Sequence, residues 1–283
     1  MPQSVLITGS SSGFGAELAR ELLARRWRVV ASMRDTGKAG PLLEAARSAG
    51  RGDLLTVVQL DVTSPASVAR GVDEALAATD GRLDALVLNA GYATAGFFED
   101  LTDDDCRRLF ETNLFGSFAL VRAILPVLRA QRAGHILAVS SNAANLPHPM
   151  FSTYAASKWA VEGWCEALAV EVAPFGIDVT VVQPGNYRTS FGDNVVPVAA
   201  TDSVYGDFLA RAAPQLERVG RYGRDPREVG RAMADLLEDP RPPFRLRLGP
   251  DDRIAAVAKA LLPYRARAWA IRRITGIPGR QKR

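Results

Sequence analysis

Short apolar runs rich in Val, Ile and Leu alternate along this chain with longer stretches of mixed polarity. Ser4-Val-Leu-Ile-Thr8 comes first, then Ala16 to Arg26 at helical spacing, then Arg28-Val-Val-Ala-Ser32. The rhythm continues at Leu54 to Leu60, Ala85 to Leu88, His135 to Ser140, Asp178 to Val182 and Phe244 to Leu248, with helix-length segments between most of them. Near-continuous apolar strands separated by helices predict a parallel sheet covered on both faces. The expected fold is α/β, a doubly wound seven-stranded sheet of Rossmann type. A single domain is expected, because no linker, composition break or internal repeat divides the chain. The loosest stretch runs from Asn186 to about Gly223, where Pro197, Pro214 and several glycines interrupt any period. A loop of that length in a compact domain reads as a lid or binding loop.

Composition narrows the classes. The chain has 283 residues, 47% hydrophobic and 23% charged, enough to bury a core, and no apolar run approaches the roughly 20 residues of a membrane span. Met-Pro-Gln-Ser leads directly into the first strand without a basic n-region or cleavage site, so a cytoplasmic protein is expected. Cys106, Cys165, His135 and His148 lack ligand spacing, and neither a disulfide framework nor a metal site is expected. The net charge of +4 is unevenly placed: Arg265, Arg267, Arg272, Arg273, Arg280, Lys282 and Arg283 crowd a final segment that lacks acids. Its aromatics are not interleaved as a stacking platform, so nucleic acid is not implied. Trp269, Ile271 and Ile274 among those arginines suit packing on the domain or a second subunit, or contact with an anionic membrane surface.

The residues with most to say about chemistry are Tyr154 and Lys158, with Ser141 thirteen positions upstream of the tyrosine. On a helix, positions i and i+4 share a face, so a phenol and an ammonium can occupy one pocket. An adjacent cation is expected to lower the phenol toward its working range. Upstream, the first strand runs into Gly9-Ser-Ser-Ser-Gly13-Phe-Gly15 and then a helix. Glycines there permit a tight turn and close backbone approach, so a pyrophosphate could rest on the helix N-terminus. The second strand ends Ser32-Met33-Arg34, where an NAD site places an acid for the ribose hydroxyl. A guanidinium there suits a 2′-phosphate instead, which favours NADP(H) over NAD(H); the alternative is an Arg34 paired with Asp35 or solvent.

With these parts in order, the sequence resembles the single-domain branch of the short-chain dehydrogenase/reductase family, continuously from Ser4 to Phe191 and more loosely beyond. Thr8, Gly9, Ser11, Ser12, Gly13, Phe14 and Gly15 look like its nucleotide loop, Asp61-Val62 its adenine contact, and Asn89-Ala90-Gly91 its sheet-stabilising turn. Asn113, Ser141, Tyr154 and Lys158 match its catalytic four, and Pro184-Gly185-Asn186-Tyr187-Arg188-Thr189 its Pro-Gly turn, with Thr189 at the nicotinamide amide. Taken singly, Asp61 could be a strand-end cap, Asn113 a polar mid-helix residue and Ser141 a strand-end serine. The Met33-Arg34 ending and the Pro-Gly turn are most similar to steroid and retinoid dehydrogenases and their bacterial relatives. Leu88 stands where a second asparagine is frequent.

The resemblance implies reversible hydride transfer between a nicotinamide and a carbonyl or secondary alcohol. Tyr154 would be acid and base, Ser141 the donor to the substrate oxygen, and Asn113 the holder of a water that links Lys158 to solvent. Lys158 would tune Tyr154 and grip the ribose. Substrate specificity is expected from Asn142, Pro147, His148, Phe151, Tyr187 and Phe191, an apolar lining with few polar anchors that suits a steroid, retinoid, polyketide or long-chain aldehyde or ketone. The rival readings are a 3-ketoacyl-thioester reductase and a non-catalytic NADPH-binding sensor or scaffold. Relatives pair through the helices matching Asp103 to Gln131 and Tyr154 to Val172, which implies a homodimer or homotetramer.

Overall fold

Strands alternate their side chains between two faces, and in this chain both faces are covered. Val5 and Ile7 of β1 (Ser4–Thr8) pack with Leu18 and Leu22 of α1 (Gly13–Ala24) and Met233 of α7 (Arg227–Glu238). Leu6 between them packs the other way, with Val68 of α3 (Pro65–Ala78), Ile124 of α5 (Gly116–Gln131) and Leu168 of α6 (Ser152–Val172). That is why the runs read as continuously apolar rather than alternating.

The computed structural model of the protein describes residues 2–189, 195–198, 203–208, 210 and 223–278. Its main sheet is all parallel and seven-stranded. The other six strands are β2 (Arg28–Met33), β3 (Leu55–Gln59), β4 (Ala85–Leu88), β6 (Gly134–Val139), β7 (Ile177–Pro184) and β9 (Arg245–Leu248), in the order β3-β2-β1-β4-β6-β7-β9. The expected doubly wound fold is present, with strand ends within a few residues of those read from the sequence. The order reverses between β1 and β4, and the loops leaving their carboxyl ends diverge there. In an open α/β sheet that crevice is where ligands bind.

Three features were not anticipated. Helix α1 starts at Gly13 rather than Ala16. A short β5 (Ala93–Ala95) pairs in parallel with β8 (Val195–Pro197), so part of the expected loop folds back as a strand beside the crevice, and Tyr205 stacks on Phe97 at 4.4 Å. Between α4 (Asp103–Phe110) and α5 the helix widens into a π turn over Glu111–Phe115. The whole unit, Asp103–Gln131, reaches the length and hydropathy of a membrane span, contrary to the reading of the sequence. Leu109, Leu114, Leu120, Ile124 and Leu128 are nonetheless buried, the last four against the sheet, as in the core helix of an α/β domain.

Candidate active site

The crevice is built first by its glycines. Gly9 turns out of β1 with φ of 67°, and a Cβ there would sit 3.0 Å from the Ala90 Cα; a Cβ on Gly15 would sit 2.5 Å from Asn89 Nδ2. The turn after β4 is sewn to that loop. Asn89 Nδ2 donates to the Thr8 and Gly9 carbonyls at 2.8 and 3.0 Å, while Thr8 Oγ1 accepts from the Asn89 and Ala90 amides, both at 3.0 Å. Ser12 is the extended N-cap of α1 and makes no side-chain cap, and the first turn holds no acid. Amides at an uncapped, acid-free helix start suit a phosphate. Thr189 of the Pro-Gly turn faces Gly13, Phe14 meets Tyr187 edge to face at 5.8 Å, and Ser11 is half-buried beside them. The loop therefore fits a pyrophosphate by shape and by charge.

At the end of β2, Met33 is buried and Arg34 exposed. Asp35 turns its carboxylate to the Gly37 amide at 3.0 Å, and among the described residues Arg34 makes no ion pair. Asp61 spends one carboxylate oxygen on Thr63, from the amide at 2.9 Å and the hydroxyl at 2.8 Å, so it does cap the strand end. Val62 packs against Gly116, too closely for any Cβ there.

Tyr154 and Lys158 lie on the buried face of α6, only 7% and 6% exposed. Ser141, at the end of β6, caps the short turn Asn142–Ala144 and hydrogen-bonds Tyr154 through its side chain. Lys158 Nζ donates to the Val139 carbonyl at 2.9 Å and stands 5.9 Å from the centre of the Tyr154 ring. Burial pushes the phenol up to about 12, with the Ser141 hydrogen bond pulling it down, and pushes the ammonium down to about 8 against the pull of Glu162. The expectation that Lys158 holds the phenol low is not met in this structure: burial raises the phenol, and the group that pulls it down is Ser141.

Asn113 sits in the π turn, which swings it inward. Its Oδ1 accepts from the Tyr92 amide, and its Nδ2 donates to the Tyr92 carbonyl and Ser157 Oγ, all at 3.0 Å. A Cβ on Gly91 would lie 3.0 Å from Asn113 Oδ1 and 3.5 Å from Lys158 Nζ, so these two atoms flank one glycine. Asn113 is thus more than a mid-helix residue: it ties the helix to the crevice.

The sequence reading missed the polar group beneath. Glu162, one turn past Lys158, accepts from Ser140 Oγ at 2.7 Å, from Gln183 and from Arg245 Nε at 3.0 Å. Its signal was present, as the third residue of the series Tyr154, Lys158, Glu162 at four-residue spacing on the buried face of α6.

Of the expected substrate residues, Phe151 meets Tyr154 edge-on at 6.5 Å and shares its apolar cluster with Tyr92 and Val195. Asn142 lies beside Ser141; Pro147 is exposed and His148 partly buried on the same loop, burial lowering the imidazole pKa. Tyr187 is placed elsewhere. It packs between Phe14 and Arg224, on the side of the glycine loop, because the Tyr187–Arg224 bridge turns the chain that way. Phe191 lies outside the described residues. Met150, beside Phe151, has a φ of 71°, unusual for a non-glycine residue, and turns the chain into α6.

The short chain dehydrogenase family model matches residues 3–198, and the chain belongs to that family of oxidoreductases, whose fold binds nicotinamide cofactors. Among its relatives, a 3-ketodihydrosphingosine reductase of Bacteroides thetaiotaomicron is 35% identical over 274 residues, covering 96% of this chain and 97% of that one. Human retinol dehydrogenase 8 is 38% identical over 258 residues, 86% of this chain and 80% of that one. A solved short chain dehydrogenase/reductase from Burkholderia phymatum, in complex with NAD, superposes with a TM-score of 0.80 at 27% identity, over 90% and 92% of the two chains.

Proposed function

We propose that the protein interconverts a carbonyl and a secondary alcohol of a lipophilic substrate with NADP(H). The observation that carries this is the convergence of Ser141, Tyr154 and Lys158 at the switch point of the sheet, beside a helix start suited to phosphate. The nicotinamide, when bound, supplies the hydride in reduction and takes it in oxidation. Ser141 donates to the substrate oxygen, where charge grows as the hydride moves, and Tyr154 gives that oxygen its proton. Lys158 holds the ribose hydroxyls, and Asn113, across Gly91 from it, keeps a water for proton supply, a reading supported by their closeness to that one glycine.

Arg34, free of ion pairs among the described residues and with Asp35 turned away, supports the phosphate-bearing dinucleotide. The apolar cluster of Phe151, Tyr92 and Val195 around Tyr154 supports a lipophilic substrate, as do relatives named for a sphingoid ketone and for retinol. Homo-oligomers pairing through α5 and α6 are part of the same reading, since Phe115, Trp159 and Val170 leave apolar surface at or on those helices.

The test is NADPH oxidation over ketones and aldehydes graded by size and polarity, with NADPH and NADH titrated by fluorescence. Tyr154→Phe is expected to lower kcat by at least about a hundredfold with NADPH binding nearly intact. Arg34→Ala should shrink the NADPH preference by about tenfold. Parental turnover in the phenylalanine variant would sink the catalytic assignment, and an unchanged preference in the alanine variant would sink the cofactor choice.

A further inference from the structure

The first turn of α8 (Pro250–Leu261) fastens the two loops that frame Tyr154. Gly249, with φ of 100°, turns the chain out of β9 and lays Asp251 beneath the Pro184-Gly185 turn. Its Oδ2 accepts from the Asn186 amide at 2.8 Å and from the Asn142 side-chain amide at 3.3 Å. A Cβ on Gly185 would collide with both carboxylate oxygens, so the glycine lets the acid lie against bare backbone. Asn142 in turn accepts from Ser141 Oγ at 3.3 Å, and Ser141 is bonded to Tyr154. A continuous path therefore runs from Tyr154 through Ser141, Asn142 and Asp251 to Asn186. The same helix grips the loop twice more: fully buried Asp252 accepts from Asn145 at 2.9 Å, and Lys259 donates to the Ala144 carbonyl at 2.8 Å.

We propose that Asp251 is a positioning residue for the site. Its carboxylate couples the loop that presents Ser141 to the turn that carries Asn186 and Thr189, so the proton-donating and dinucleotide-facing sides of the crevice keep one geometry. The proposal deepens the function given above and rests on it. Bonds to a carboxylate are charge-assisted, and small misplacements of a catalytic donor are costly to rate. Asp251 itself touches no reacting atom.

The experiment uses full-length Asp251→Ala, Asp251→Asn, Asn142→Ala and the Asn142→Ala/Asp251→Ala double variant, with a ketone that the parent reduces. Asp251→Ala is expected to lower kcat about tenfold and to raise the Kd for NADPH about fivefold. Asp251→Asn, with an amide oxygen in the same place, should recover most of both. The double variant should be no slower than the poorer single, because both changes cut one link. Amide hydrogen exchange reads the same link without cofactor or turnover: Asn186 and the Ala143–Asn145 amides should lose protection together in Asp251→Ala. Values of kcat and Kd within about twofold of the parent, or additive losses in the double variant, overturn the proposal. If Asp251→Ala does not fold, Asn142→Asp decides, since it sets carboxylate against carboxylate and should cost about tenfold in kcat; a parental rate there also overturns it. A parent that oxidises no NADPH with any carbonyl refutes the functional reading instead, and the exchange measurement still decides whether Asp251 couples the two loops.

Discussion

Lys158 carries a charge where charge is expensive. Burial lowers its pKa to about 8 and the carboxylate of Glu162 partly offsets that, while its hydrogen bond to Val139 aims the ammonium along the crevice. If the charged form is the one that holds the ribose and supplies the proton path, activity is present below that pKa and is lost as pH rises through it. The profile of kcat/KM for NADPH, which reports the free enzyme, is therefore expected to fall with one inflection near 8. Glu162→Gln removes a charge that favours the ammonium, and the inflection should move to lower pH, by about one unit or less. A profile flat through this range, or an inflection that moves upward in the variant, would show that Lys158 is not the group being titrated. The Tyr154 phenol, at about 12, keeps its proton throughout and is not the source of that limb.

At the scale of elements, β6 joins the core to the site, and it carries a buried histidine. His135 bonds Thr180 of β7 at 2.9 Å, and the Thr180 hydroxyl spends its own proton on the Pro243 carbonyl, so the imidazole donates through Nε2. Burial lowers its pKa from 6.5 to about 4. The folded chain thus keeps His135 neutral while the unfolded chain protonates it below 6.5. Stability is lost as pH falls between those two values, by about 3 kcal/mol once both states are charged. Thermal melts of the parent and of His135→Gln should diverge below pH 6.5, with the variant less acid-sensitive; parallel curves would remove His135 as the cause. The same strand marks how far the sequence could be read. Its apolar run, the glycine turn and the Tyr154/Lys158 spacing are local patterns, and local patterns announced both the sheet and the face of α6 that carries Tyr154 and Lys158. Asp251 reaches the site only through the return of β9 and α8 beside β7, and its contact with Asn142 spans 109 residues. No period in the chain signals that contact. The π turn at Asn113 was equally silent, since it changes the hydrogen-bond register of a helix without changing its composition.

For the whole molecule, apolar side chains left outside the core need a reason. Trp159 and Val170 stand eleven residues apart on α6, about three turns and so on one face, with Gly163 between them leaving open space over its Cα. Phe115, beside the start of α5, meets Phe118, whose ring lies tilted against Trp164 with centroids 4.7 Å apart, so an aromatic patch joins the two helices. In the pairing proposed above, this is the face that a second copy would cover. Light scattering behind size exclusion is expected to give a multiple of 30.5 kDa, falling toward one chain on dilution or with Val170→Arg. Val170 is 76% exposed, so a charge there should leave the melting temperature of the separated chain unchanged while weakening association. Phe115 lies two residues from Asn113 at the edge of this surface, and pairing would thereby brace the π turn from outside. A monomer at every concentration, or an assembly indifferent to Val170→Arg, would exclude the α6 face from pairing and leave Trp159 as a ring for Lys259, whose Nζ stands 3.5 Å from its centre.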